Sequence, residues 1–257
     1  MARRLLVGIS IVGALAYASV AAAHDFFLLP EQFTTPRAGT VAIQATVGSS
    51  FPTPEIVVTA DRAERVNAIG AGSPRVRIAG AGAKALNLEV TGATAGLLAV
   101  GVASKPRDVE YAEDRIPLIL EEYRFLPAAA AAVDALPRPR TWKVSSRRFA
   151  KTLVCVQTCR DRSAAGRSFS AHLEFVGHRT MANHFRLLAQ GEPLANYPID
   201  LVGSDGKRQH LSTDAKGDVH LPESARGTMM LFAAKLERPK GAERFTLDLT
   251  SLTFSRT

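Results

Sequence analysis

Residues 41–47 read VAIQATV, an alternation that puts Val41, Ile43, Ala45 and Val47 on one side of an extended chain and Ala42, Gln44 and Thr46 on the other. A period of two marks a half-buried β-strand, because successive side chains of a strand point to opposite faces. The rhythm returns at Leu86, Leu88 and Val90, separated by Asn87 and Glu89. Gly and Pro stand between such runs, at Pro36 to Gly39, Gly48 to Pro54 and Gly70 to Pro74, so Phe33 to about Ala103 predicts short strands joined by turns.

The character changes from Ser104 to about Ala150, where Pro106, Pro117, Pro127, Pro137 and Pro139 bracket the helix-friendly stretches Leu118 to Phe125 and Ala128 to Leu136. Prolines so placed fit first helical turns. Alternation resumes at Lys151 with eight strand candidates: Thr152 to Val156, Phe169 to Phe175, Phe185 to Leu188, Tyr197 to Val202, Gln209 to Leu211, Asp218 to Leu221, Met229 to Leu236 and Arg244 to Phe254. The last is too long to be expected as one uninterrupted strand. Ser204-Asp205-Gly206-Lys207 and Asp214 to Asp218 supply the Asp and Gly of tight hairpins. The predicted fold is mainly β, with two immunoglobulin-like or transthyretin-like antiparallel sandwiches, residues 24–103 and 151–257, joined by a Pro-rich, partly helical connection over 104–150.

The first 23 residues carry the three parts of a secretory signal: Arg3 and Arg4, an apolar run from Leu5 to about Val20, and Ala21-Ala22-Ala23 as the cleavage site. Cleavage after Ala23 would place the mature protein, beginning at His24, in the periplasm. The apolar run is short and broken by Gly, Ala and Ser, and no later stretch approaches the roughly 18 to 20 apolar residues of a spanning helix. The mature chain is therefore expected to have no membrane span. Net charge is +8, but the arginines are dispersed in pairs such as Arg147-Arg148, without the basic stripe and interleaved aromatics of a nucleic-acid surface. No nucleic-acid partner is expected.

The two cysteines, Cys155 and Cys159, would pair in an oxidising compartment only if the chain turns between them. Four residues of one strand span about 13 Å at roughly 3.3 Å each, beyond the ~7 Å limit for a bridge. Gln157-Thr158 could form that turn. The alternative, metal binding by a C-x3-C pair with no second pair, is the weaker reading.

Several segments together resemble a bacterial family of exported proteins, domain-of-unknown-function family 4198. They are Ala23-His24-Asp25-Phe26-Phe27-Leu28, Phe33 through Val47-Gly48, Arg148-Phe149-Ala150-Lys151-Thr152-Leu153, Gly191-Glu192-Pro193-Leu194 through Thr213 to Gly217, and Ser251-Leu252-Thr253-Phe254. The resemblance implies a periplasmic protein associated with nickel or cobalt uptake, with a membrane metal-uptake transporter as partner. The chain departs from the family where relatives often carry a His and this sequence reads Ala233-Ala234-Lys235.

A processed His24 would offer its α-amino nitrogen and its imidazole to one ion, Asp25 would add a carboxylate, and a further His would complete a nitrogen site suited to Ni, Co or Cu. His172, His178 and His184 are spaced by six, and His172 and His184 rank first as partners; His210 and His220 flank the Asp214 to Gly217 hairpin and could face each other across it. The metal set read from the sequence is thus His24, Asp25, His172 and His184. Enzyme signatures are missing: there is no Gly-x-Ser-x-Gly, no His-Glu-x-x-His and no Gly-rich phosphate loop. The expected function is a periplasmic binding protein handling a divalent transition metal, not an enzyme. The alternative is a metal-free envelope module that binds a protein or glycan through its sandwich surfaces.

Overall fold

The computed structural model describes residues 24–256; the expected signal segment, 1–23, lies outside them. In chain order the elements are β1 (Asp25–Pro30), β2 (Thr34–Thr35), β3 (Val41–Gly48), β4 (Ile56–Val57), β5 (Ala63–Ile69), β6 (Gly72–Ala81), β7 (Leu86–Ala93), β8 (Gly96–Ser104), β9 (Arg107–Ala112), α1 (Ile116–Tyr123), α2 (Pro127–Asp134), β10 (Thr141–Val156), β11 (Leu173–Gly177), β12 (His184–Ala189), β13 (Glu192–Pro193), β14 (Pro198–Gly203), β15 (Arg208–Ser212), β16 (Asp218–His220), β17 (Gly227–Glu237) and β18 (Phe245–Arg256). Pro117 and Pro127 occupy the first helical turns, as their fixed φ and missing N–H favour. No helix among the described residues is long and apolar enough to cross a membrane.

The fold is mainly β and mostly antiparallel, several sheets with two short helices, as the sequence predicts. A central sheet runs β15-β14-β17-β18-β10-β8-β5 and so takes strands from both halves of the chain. The expected boundary at 150/151 falls inside the sixteen-residue strand β10. That strand pairs antiparallel with β8 and β9 and parallel with β18. Paired on both edges, by β10 and β17, β18 runs over twelve residues without the expected interruption.

Layers lie on both faces of this central sheet. The sheet β1-β3-β7-β6 covers one face: Phe26, Leu28, Ile43, Leu86 and Leu88 meet Leu98, Val100, Ala150 and Val154. The helices cover the rest of that face, Ile116, Ile119 and Val133 packing with Trp142, Val144, Met230 and Phe232. The small sheet of β11, β12, β13 and β16 covers the opposite face, where Phe175, Phe185 and Leu187 meet Ala99, Phe149, Leu153 and Leu231. Burial on both faces explains why β8 and β17 are nearly continuous apolar runs. Gly101 in β8 leaves room for the Phe149 ring, which would lie 3.0 Å from a Cβ there.

Two polar ties cross these layers. Lys151 of β10 is buried with Glu174 of β11, its Nζ donating to Glu174 Oε1 (2.9 Å) and to the carbonyls of Arg167 (3.0 Å) and Phe175 (3.2 Å). Ser251 and Thr253 of β18 donate at 2.6 Å to the carbonyls of Phe26 and Leu28.

Candidate functional site

The small sheet brings three histidines into a row. In the antiparallel pairing of β12 with β16, His184 sits opposite His220 and Arg186 opposite Asp218. On the other side of β12, the pairing with β11 continues one step beyond Gly177, where the His178 N–H donates to the His184 carbonyl at 2.8 Å. Three adjacent strand positions therefore carry imidazoles on one face. The rings stack: His178 and His184 centroids lie 5.0 Å apart at 5° between planes, and His184 and His220 lie 4.1 Å apart at 27°.

The three rings differ in their hydrogen bonding. His178 Nδ1 accepts from the backbone N–H of Thr180 and of Met181, both at 3.3 Å, so Nδ1 is the unprotonated nitrogen and Nε2 carries the proton in the neutral ring. His184 is 9% exposed, and its Nδ1 and Nε2 are both buried with no hydrogen-bond partner. The nearest acid is Asp218, whose Oδ2 lies 3.6 Å from His184 Nε2, too far for a hydrogen bond. Asp218 is itself held by Arg186 through 2.6 and 2.9 Å bonds, which keep its carboxyl below the ordinary range. Burial, and then the neighbouring His220, lower the His184 pKa. A cavity of about 300 Å³, lined by His178, Arg179, His184, Arg186 and Asp218, opens on the group.

The four residues singled out in the sequence do not come together. His24 is exposed at the start of β1, and its carbonyl accepts from Arg148 Nη1 at 3.0 Å. Asp25 is buried and paired through Oδ2 with Arg208, which also reaches Asp200, while its Oδ1 has no partner. Burial pushes the Asp25 carboxyl up to about 6 although Arg208 and Arg148 pull it down. His172 meets Arg147 Nη1 through Nε2 at 2.9 Å, and Arg147 forks onto Asp248 at 2.7 and 3.1 Å. Only His184 belongs to a cluster, and its companions are His178 and His220. His220 faces His184, not His210, whose Nδ1 lies 2.8 Å from Asp200 Oδ1. Among the described residues, no three or more His, Cys, Asp or Glu side chains stand in an arrangement ready to hold a metal ion.

Cys155 and Cys159 are bridged, with Cα atoms 5.2 Å apart. The required turn is made by Gln157, at φ 57°, and by Thr158, whose N–H donates to Val156 O at 2.6 Å.

A family model described as a domain of unknown function (DUF4198) matches residues 21–237. No curated protein matches the chain. Among solved structures, the D0-D1 domain of intimin aligns over 89% of this chain and 97% of that one, at 12% identity and a TM-score of 0.25, a similarity too low to carry an argument.

Proposed function

The chain belongs to the DUF4198 family, whose description assigns no activity, and from that premise we propose an exported, periplasmic binding protein that takes a divalent transition metal at His178, His184 and His220. The observation that carries this reading is the pair of orphaned nitrogens on buried His184. A neutral imidazole always has one N–H to donate and one lone pair to share, and leaving a buried polar atom unpaired costs about 1–3 kcal/mol. A metal ion on one nitrogen satisfies it. His220 on the neighbouring strand adds a nitrogen donor, His178 adds another only once its Nδ1 leaves the Thr180 and Met181 N–H groups, Asp218 adds an oxygen, and a donor set dominated by imidazole suits nickel, cobalt, copper or zinc.

Stacked rings do not aim their nitrogens at one point, so binding requires at least one imidazole to turn out of the stack toward the adjoining cavity. Delivery to a membrane uptake system is the role this reading assigns to the bound ion. The protein acts by binding, not by catalysis.

The test is calorimetric titration of the chain starting at His24 with Ni(II), Co(II) and Cu(II), repeated on His184→Ala, on His220→Ala, and on a form with one Ala added before His24. The reading expects one equivalent bound, loss of binding in both His variants, and no change on extension. Binding abolished by the extension would return the site to the terminal amine. A folded protein that binds none of the three ions would leave the metal-free envelope module.

A further inference from the structure

A cleft of about 490 Å³ lies between the first strands of the chain and the β9 end of the central sheet, well away from the imidazole row. Its walls combine Phe26, Val47, Val57, Val109 and the Tyr111 ring, and exposed Ile56 stands at the rim. Its charged side chains are all basic in type: Arg62, Arg107, Arg148 and His24, with no Asp or Glu in the lining. The alternation of β9 produces this sorting. Arg107, Val109 and Tyr111 face the cleft, whereas Asp108 and Glu110 point away and pair with Arg244 at 3.3 and 3.4 Å.

Among the described residues, none of the three guanidinium groups in the cleft makes an ion pair with a carboxylate. Arg62 donates to Lys105 O and Arg148 to His24 O, each at 3.0 Å, and both acceptors are uncharged carbonyls. The Arg107 side chain has neither a hydrogen bond nor an ion pair among the described residues, its backbone alone being paired, with Ser146. Burial raises the Tyr111 pKa, so the phenol stays a neutral O–H donor. Guanidinium groups are suited to planar two-oxygen acceptors, and the volume is that of a small-molecule site.

We infer that this cleft binds a small amphiphilic carboxylate, its apolar body against Phe26, Val109 and the Tyr111 ring and its carboxylate on Arg107 and Arg148. The inference does not depend on the metal reading. The ligand would lie against Tyr111, whose ring centroid is 5.4 Å from that of Trp142, the only tryptophan of the chain, so tryptophan emission reports binding directly.

The experiment follows Trp142 emission of the chain starting at His24 while decanoate is added below its micelle concentration, with acetate and decyltrimethylammonium as separate probes. Decanoate should give a saturable change and the other two none. Arg107→Met, which keeps an apolar stem, should raise the half-saturation concentration about tenfold, the effect of losing one charge-assisted pair. Arg244→Met removes the same charge from the far side of β9 and should leave binding unchanged. Failure of decanoate to perturb the emission would overturn the inference. So would an equal response to acetate, an equal response to the cationic amphiphile, or equal weakening by the Arg107 and Arg244 substitutions.

Discussion

Replacing Glu174 by Ala should be among the most destabilising single changes available, because it leaves the Lys151 ammonium without its counter-charge. Both side chains are 1% exposed, so the ammonium left behind is cut off from bulk solvent. Glu174 also accepts from the Phe169 N–H at 2.9 Å and from the Ser168 hydroxyl at 2.8 Å, and these donors lose their acceptor together with Lys151. Removing one member of a buried pair costs about 3–5 kcal/mol, a large share of the roughly 5–15 kcal/mol that holds a typical domain together. The loss should appear as a lower urea midpoint at unchanged slope.

The deficit should shrink as pH rises. Burial already lowers the Lys151 pKa against the pull of Glu174, and without Glu174 it falls further. The unfolded chain then binds more protons than the folded one, and stability rises with pH wherever that holds. A Lys151→Met/Glu174→Leu double variant removes both charges but strands the Phe169 N–H and two carbonyls, so it should recover part of the loss. A Glu174→Ala variant that loses less than about 1 kcal/mol would refute the reasoning, since no surviving contact could compensate a buried, unpaired ammonium.

Three further outcomes follow from the same geometry. Breaking the Cys155–Cys159 bridge by Cys159→Ser frees a five-residue loop and should cost about 2 kcal/mol on the loop-entropy account, read by denaturation with and without reductant. Glu122, pushed up to about 7 by burial and then by the Asp25 charge, favours the folded state most fully below about pH 4.5 and loses that contribution as pH rises through 7. Glu122→Gln should therefore flatten the fall in melting temperature between those limits. Gly217, at φ +75°, would place a Cβ 3.0 Å from Leu194 N and Pro193 Cβ, so Gly217→Ala should lower stability by more than about 1 kcal/mol. It should also weaken metal binding, because this turn leads into the strand that carries His220.

The alternating strands and the two proline-started helices were legible because period and φ restriction are local properties. The shared central sheet was not. A break at 150/151 looked natural because composition changes near there, whereas β10 is continuous and its partners, β8, β9 and β18, come from distant parts of the chain. The disulfide could be reasoned to need a turn at Gln157-Thr158, and that turn is present.

The candidate site was legible only in part. The six-residue spacing of His178 and His184 reflects their position across the β11–β12 hairpin, but the choice of His172 as companion ignored the irregular segment before β11, where Ser170 takes φ 57°. His220 flanks a hairpin opposite His210, and nothing local shows that β16 pairs with β12 instead. Asp25 looked like a hard metal ligand; its burial against Arg208 depends on a contact 183 residues away in sequence.

The most direct test of the central claim follows the ring signals of all six histidines by NMR as one equivalent of Ni(II) is added to the chain starting at His24. The account predicts that the signals of His178, His184 and His220 broaden or shift together, while those of His24, His172 and His210 hold their positions. Perturbation centred on His24, or six unchanged rings, would contradict it.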